Sequence, residues 1–310
     1  MIIPARDAHR HVAAAIASVL AQDYPRILDV VVAAADQPTT AAVSAVDDER
    51  VRVIANPAGL TPRALNLALA ATAGEVVVRC DAHAVLPPGY VSRAVATLAA
   101  TGAVNVGGRQ VPQSDNVFGR AVAMAMVSPL GAGDARYRIG GDPGPVDTVY
   151  LGVFRRAALT EVGGFDESMI RNQDYAMNWR LRHAGGTVWF DPELAVVYEP
   201  RSTLAALWRQ YFGYGQGKRH MLKRHPGSLK ARQLAAPLLV VGIAASGALA
   251  VFGHRWALAA PAAYGALTLA SGVFDSIRHR TVSGLLEPPA LWTMHIAWGV
   301  GFLLGPNTER

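Results

Sequence analysis

Val76-Val77-Val78-Arg79-Cys80-Asp81-Ala82-His83 joins a run of β-branched residues to a polar tip, with Gly74 before it and Pro87-Pro88-Gly89 after it. Such a run reads as a central strand buried on both faces. Side chains alternate along an extended chain, so Asp81 and His83, two apart, are expected to point the same way from the strand's end. Ligands of open α/β sheets bind beyond the carboxyl ends of the strands. A carboxylate and an imidazole placed there suit a divalent metal carrying a diphosphate. An Asp-x-His pair alone is equally a surface polar pair, so the flanking sequence has to give it meaning.

Upstream, extended and helical patterns alternate. Ile2-Ile3 is short for a strand, which is expected to begin earlier, and it runs into Pro4-Ala5-Arg6-Asp7. Val12, Ile16, Val19 and Leu20 fall at helical spacing within 11–22, and 28–35 is a valine-rich strand leading to Asp36, which can cap a following helix. A third strand is predicted at 51–54. Thr61 as N-cap and Pro62 as first helical residue then open a helix to about 73. This alternation predicts a parallel, nucleotide-binding sheet.

Downstream, a strand is expected at 104–108, a helix at 116–127 and a long loop at 129–145 dense in Gly, Pro and Asp. Its Gly131-x-Gly133 does not follow a strand, so it is no dinucleotide fingerprint. Extended structure resumes at 146–154. The turn Gly163-Gly164-Phe165-Asp166-Glu167 carries two carboxylates, and Arg171-Asn172-Gln173-Asp174-Tyr175 leads into a helix. Taken alone, Asp174 is a carboxylate favoured by the helix dipole.

The 310 residues hold one sizeable α/β domain and something smaller. Hydrophobic residues make up 51% and mean hydropathy is +0.21, which predicts a part in a membrane. The net charge of +6 is informative by its position: Lys218, Lys223 and Lys230, the chain's lysines, sit with Arg219, Arg224 and Arg232 just before the apolar third. That pattern is membrane-proximal and gives no nucleic-acid face. Cys80 is the single cysteine, so no intrachain disulfide forms, a reducing compartment is expected, and the residue reads as core. Segments 234–252 and 256–274 have the length of a bilayer span without formal charge; a third, 289–304, is shorter and carries His295. If the first goes out and the second returns, the basic stretches 218–232 and 278–280 both lie in the cytoplasm, and with them the N-terminal domain. Leu204-x-x-Leu207-Trp208-x-x-Tyr211-Phe212 suits either an interfacial helix or a docking helix of the soluble part.

Taken in order, Ile3-Pro4-Ala5-Arg6, Arg79-Cys80-Asp81-Ala82-His83-Ala84, the run from Val146 to Arg156, Gly163-Gly164-Phe165-Asp166-Glu167, Arg171-Asn172-Gln173-Asp174-Tyr175, Gln210-Tyr211-Phe212-Gly213-Tyr214-Gly215 and the apolar tail resemble the family 2 glycosyltransferases, of the succinoglycan-biosynthesis glucosyltransferase type. The resemblance covers nearly the whole chain. It implies an α/β GT-A nucleotide-diphospho-sugar transferase fold, mostly parallel in its central sheet, over 1–200, an interfacial basic segment at 201–233, and two to three transmembrane helices within 234–304. It implies a multi-pass protein of the bacterial inner membrane with its catalytic domain cytoplasmic.

Carried over residue by residue, the resemblance makes Asp81 and His83 ligands of Mn²⁺ or Mg²⁺. It makes Asp174 the catalytic base of an inverting displacement. Pro4, Ala5, Arg6, Asp36 and Arg63 fall to the nucleotide sugar, and Asp166, Arg171, Asn172, Gln210 and Tyr214 to the acceptor and leaving-group region. The implied reaction moves a hexose from a nucleotide-diphosphate sugar, a UDP-sugar, to a lipid-linked or glycan acceptor. There are departures: His83 replaces a second carboxylate, Ala176 stands where a Glu is common, Gly213 replaces the Arg of a Gln-x-x-Arg-Trp motif, and Ala33, Ala34 or Ala35 falls where an acidic residue is usual, with Asp36 the alternative for that place. These alanines motivate the alternative of a non-catalytic scaffold in a glycan-assembly complex. A nucleotidyltransferase shares the sheet and the metal but has no use for the Asp174 region or the tail.

Overall fold

The computed structural model describes residues 1–305. In chain order its elements begin with β1 (Ile2–Ala5), α1 (Val12–Leu20), β2 (Val30–Ala34), α2 (Gln37–Ser44), β3 (Val51–Ala55), α3 (Thr61–Ala70), β4 (Val76–Val78) and α4 (Tyr90–Thr101). Then come β5 (Asn105–Pro112), α5 (Val117–Val127), α6 (Pro129–Ala132), α7 (Arg136–Ile139), β6 (Gly144–Pro145), β7 (Tyr150–Arg155), α8 (Arg156–Glu161), α9 (Gln173–His183) and β8 (Val188–Tyr198). Four long helices close the chain: α10 (Leu204–Arg224), α11 (Ala235–Val251), α12 (Ala259–Arg278) and α13 (Glu287–Leu304). They form two compact units. The first comprises Met1–Val111 and Gly140–Val197; the second comprises Pro112–Ile139 and the chain from Tyr198 onward.

In the first unit β1, β2 and β3 are parallel, with Ile2 opposite Val31 and Val31 opposite Arg52. A parallel bridge from Ile2 to Arg79 joins them to a second sheet of order β4-β7-β5-β8-β6, in which β7 runs antiparallel to both β4 and β5. The parallel pairings of β1, β2 and β3 and the Ile2–Arg79 bridge lie within the first hundred residues. Strand alternation explains the layers: Val30 and Val32 pack with α1 and α4, while Val31 and Ala33 pack with α3, α8 and α9. Each of these buried valines contributes about 1.5–3 kcal/mol.

Two local expectations are corrected. The helix after β3 takes Leu60 as its N-cap and begins at Thr61, one residue early, because Pro62 fits the first turn in either register. The strand 76–81 ends at Val78 and its bridge at Arg79; Ala84 N–H then donates to the Asp81 carbonyl at 2.9 Å, closing a turn. Asp81 and His83 therefore do not share the face of an extended strand, because the backbone reverses before the period of two can act.

In the second unit α13 forms the centre. Ala290, Leu291, Met294 and Ala297 are buried against Val122, Ala125 and Met126 of α5 and Leu207 and Tyr211 of α10. Glycine permits the approach of α10 to α13: a Cβ on Gly215 would lie 2.1 Å from the Trp298 carbonyl oxygen. Residues 289–304, read from sequence as a possible third span, are thus covered by protein along much of their length. The segments Ala231–Val251 and Arg255–Arg278, with mean hydropathies of 2.2 and 1.4, are long and apolar enough to cross a membrane. Their side chains, Leu238, Val251, Trp256, Phe274 and Ile277 among them, are largely exposed. The 129–145 stretch is not one loop but carries α6, α7 and β6.

Candidate active site

Arg79, at the end of the valine strand, is fixed from both sides. Its N–H donates to the Gly152 carbonyl at 3.0 Å and the next N–H, of Cys80, to the Ile2 carbonyl at 3.1 Å. Only 5% of its side chain is exposed, and a guanidinium so placed requires counter-charge. It has two partners. Nε and Nη2 donate to Asp81 Oδ1 at 3.0 and 2.9 Å, and Nη1 pairs with Asp174 Oδ1. Two carboxylates distant in sequence are thereby held on one cation. Asp81 is 18% and Asp174 44% exposed, so both face solvent from a buried anchor.

The helix carrying Asp174 is set by its own surroundings. Asn172 precedes it in the left-handed region, φ 59°, and turns the chain immediately before Gln173. One turn beyond Asp174, Asn178 accepts from Asn105 at 2.6 Å and donates to the Thr148 hydroxyl at 2.9 Å, all three buried. Arg180 donates to the Gly164 carbonyl at 2.8 Å, and the Asn66 amide of α3 makes paired bonds of 2.8 Å with the Phe165 backbone. The Gly163–Glu167 turn is therefore tied to α3 and α9 together. Within it, Asp166 accepts from the Ser168 N–H and hydroxyl. Arg171 is exposed and Asn172 half-buried.

A second group lies at the carboxyl ends of the parallel strands. Asp36 caps α2, accepting from Thr39 N–H at 2.9 Å, and its other oxygen accepts from Asp7 N–H at 2.7 Å, which holds Asp7 at φ 51°. These bonds, the Thr39 hydroxyl foremost, hold the Asp36 carboxyl below its usual range. The loops after β1 and β2 are thus clamped together. Pro4 and Ala5 end β1; Arg6 is exposed, passes beside Gly59 and pairs weakly with Asp7 at 3.6 Å; Arg63 is exposed in the first turn of α3. Cys80 is fully buried with its thiol pushed far up by burial, which agrees with a core residue.

Gln210 and Tyr214 belong to the second unit, where Gln210 Nε2 donates to the Tyr214 hydroxyl at 3.0 Å and the Tyr198 hydroxyl at 2.8 Å. Sequence reasoning gave Arg79 no role. Its signal was present: an arginine inside an apolar strand cannot be left without an acidic partner.

A family description, "Glycosyltransferase like family 2", matches residues 1–213. The chain belongs to glycosyltransferase family 2. This glycosyltransferase is 33% identical over 261 residues to succinoglycan biosynthesis protein ExoA of Rhizobium meliloti (strain 1021), covering 83% of this chain and 78% of that protein. It is 26% identical over 189 residues to the poly-β-1,6-N-acetyl-D-glucosamine synthase of Staphylococcus epidermidis, covering 57% of this chain and 43% of that one. Its fold is similar to that of the mannosyltransferase PcManGT from Pyrobaculum calidifontis, solved with GDP-Man and Mn²⁺, with a TM-score of 0.61 at 21% identity over 96% of this chain and 85% of that chain. The GT-A-like α/β fold is common to both.

Among the described residues of the glycosyltransferase, no three His, Cys, Asp or Glu side chains are grouped to hold a metal. Arg79 occupies only Oδ1 of Asp81, leaving Oδ2 without a partner among the described residues, and His83 is exposed. That donor set fits a cation drawing most of its ligands from substrate and water.

Proposed function

We propose that the protein is a metal-dependent, inverting hexosyltransferase, held in a membrane by its C-terminal helices. It would pass a hexose from a nucleotide-diphosphate sugar, of the UDP-sugar class, to a lipid-linked or glycan acceptor in polysaccharide or glycolipid synthesis. The observation that carries this reading is the Arg79 bridge between Asp81 and Asp174. A base must stand close to the donor's diphosphate yet separate from it, and one buried cation with a carboxylate on either side meets that need.

In this reading the loops carrying Pro4, Ala5, Arg6 and Asp36, with Arg63, receive the nucleotide. Asp81 and His83 hold Mn²⁺ or Mg²⁺, which when bound neutralises charge developing on the leaving diphosphate. Asp174 accepts the proton of the acceptor hydroxyl as that oxygen attacks the anomeric carbon from the face opposite the diphosphate, a contribution of roughly 10²–10⁴ in rate. The resemblance assigns Asp166, Arg171, Asn172, Gln210 and Tyr214 to the acceptor and leaving-group region. The exposed apolar side chains of α11 and α12 support membrane anchoring, and the exposed Lys223, Arg224 and Lys230 support a cytoplasmic catalytic domain of an inner-membrane protein, whereas Lys218 is buried with its ammonium donating to the Ser228 carbonyl at 2.6 Å.

The test is nucleotide release by the detergent-purified protein from a panel of UDP- and GDP-sugars with Mn²⁺ or Mg²⁺, beside Asp81→Ala and Asp174→Asn. Metal-dependent release lost in both variants is expected. Wild-type protein that neither binds nor turns over any donor would overturn the reading and favour the scaffold.

A further inference from the structure

The second unit holds an arginine answered by no acid. Arg138, partly buried, donates from Nε to the Tyr137 hydroxyl at 3.1 Å and from Nη1 to the Tyr211 hydroxyl at 3.0 Å. Its guanidinium lies 5.5 Å from the centre of the Tyr137 ring, and Tyr214 packs against Tyr211 at 5.5 Å between ring centres. Among the described residues no carboxylate contacts Arg138. Burial pushes the Tyr211 and Tyr214 hydroxyls upward, so these phenols are neutral near pH 7 and offer dipoles without charge. A guanidinium drawn from water and left uncompensated is costly to the fold. The cost is met when an anion arrives.

The chemistry of that anion follows from the donors. Among the described residues Nη2 has no partner, and Tyr137 and Tyr211, which accept from Arg138, each keep an O–H hydrogen to give. A planar fork flanked by hydroxyl donors matches the tetrahedral oxygens of a phosphate. The same unit carries the exposed apolar helices α11 and α12, so a phosphate borne on a lipid satisfies both features. We propose that Arg138, Tyr137 and Tyr211 bind the phosphate or diphosphate head of a lipid, the group on which the acceptor is presented. Naming that lipid the acceptor rests on the transferase reading above; the binding itself does not.

The experiment titrates the full-length protein in detergent with farnesyl diphosphate, inorganic pyrophosphate and farnesol, using wild type, Arg138→Gln and the double variant Tyr137→Phe/Tyr211→Phe. UDP binding with Mn²⁺ reports the integrity of the first unit. Wild type is expected to bind farnesyl diphosphate and not farnesol, Arg138→Gln to bind it about ten- to a hundredfold more weakly, and UDP affinity to stay unchanged. Equal binding by wild type and Arg138→Gln overturns the site. Pyrophosphate bound as tightly as the prenyl compound overturns the lipid assignment. If Arg138→Gln loses cooperative melting, the double variant decides, since it keeps the charge and removes two hydroxyls: undiminished affinity there overturns the proposal. Wild type that binds farnesyl diphosphate through Arg138 yet turns over no nucleotide sugar refutes the transferase reading while the site stands.

Discussion

Arg79 and Arg138, one in each unit, are both drawn away from water, and their surroundings are opposite in kind. Arg79 touches two carboxylates; Arg138 touches only neutral hydroxyls. The first is compensated within the protein, so it can serve the fold and the chemistry at once: it closes the sheet and orients the two acids that face solvent. The second gains little from its neighbours, and a fold that keeps such a charge keeps it for something outside the chain. The comparison teaches that counter-charge, more than burial, separates an arginine built into the scaffold from one waiting for a ligand.

The largest expected effect is that of Asp174→Asn. It preserves the shape beside Arg79 and removes the basic oxygen, so nucleotide release should fall about 10²–10⁴-fold with UDP binding retained. A fall of less than tenfold would remove Asp174 from the role of base. Next, Arg79→Met strands two carboxylates beside each other. Thermal or denaturant melting should show a loss of about 2–3 kcal/mol, below the cost of a fully buried pair because Asp174 is half-exposed, and Arg79→Lys should recover part of it.

Arg93, a second compensated arginine, extends the contrast to pH. Burial pushes Asp191 up, but the Arg93 fork at 2.8 and 2.9 Å, the Glu193 N–H and the Thr97 hydroxyl outweigh it and hold the carboxyl below its usual range. This stability is present above the unfolded value, about pH 4, and disappears as pH falls through the folded one. In Arg93→Met the Glu193 N–H and the Thr97 hydroxyl still oppose burial but the Arg93 fork is gone, so the stability lost as pH falls from 7 towards the acid side should be smaller than in wild type. A pH series of melts on both proteins checks this. Asp36→Ala removes an N-cap and the clamp on Asp7, at about 1 kcal/mol.

The smallest effect is the one that tests the comparison most directly. Arg138→Met should leave the melt within about 0.5 kcal/mol of wild type or raise it, because it exchanges an uncompensated charge for an apolar chain. A loss equal to that of Arg79→Met would mean that the phenols suffice as partners, and the distinction between the two arginines would collapse.

Much of the first unit was legible in the chain. The valine runs at 30–32 and 76–78, separated by amphipathic helices, announce a parallel sheet because residues buried on both faces must be apolar at every position. The helix near 116–127 and the apolar lengths of α11 and α12 were equally readable, since periodicity and span length are local properties, whereas Asn116 proves to be the cap of that helix. The turn at Asp81–Ala84 was not, because the apolar-polar pattern says nothing of where a strand stops when its next partner lies at β1. Nor was the grouping of Pro112–Ile139 with the chain after Tyr198, a matter of contacts between segments far apart in sequence.

By itself the sequence determined the class of fold and the family, and it nominated Asp81, His83 and Asp174 for the chemistry proposed above. Only the tertiary structure decided that Asp81 and Asp174 share one guanidinium, that Asp36 is spent on clamping two loops, and that Arg138 has phenols and no acid beside it. The physical reason is range. Propensity, capping and hydropathy act between near neighbours in the chain, whereas the partner of a buried charge is chosen by where distant segments come together.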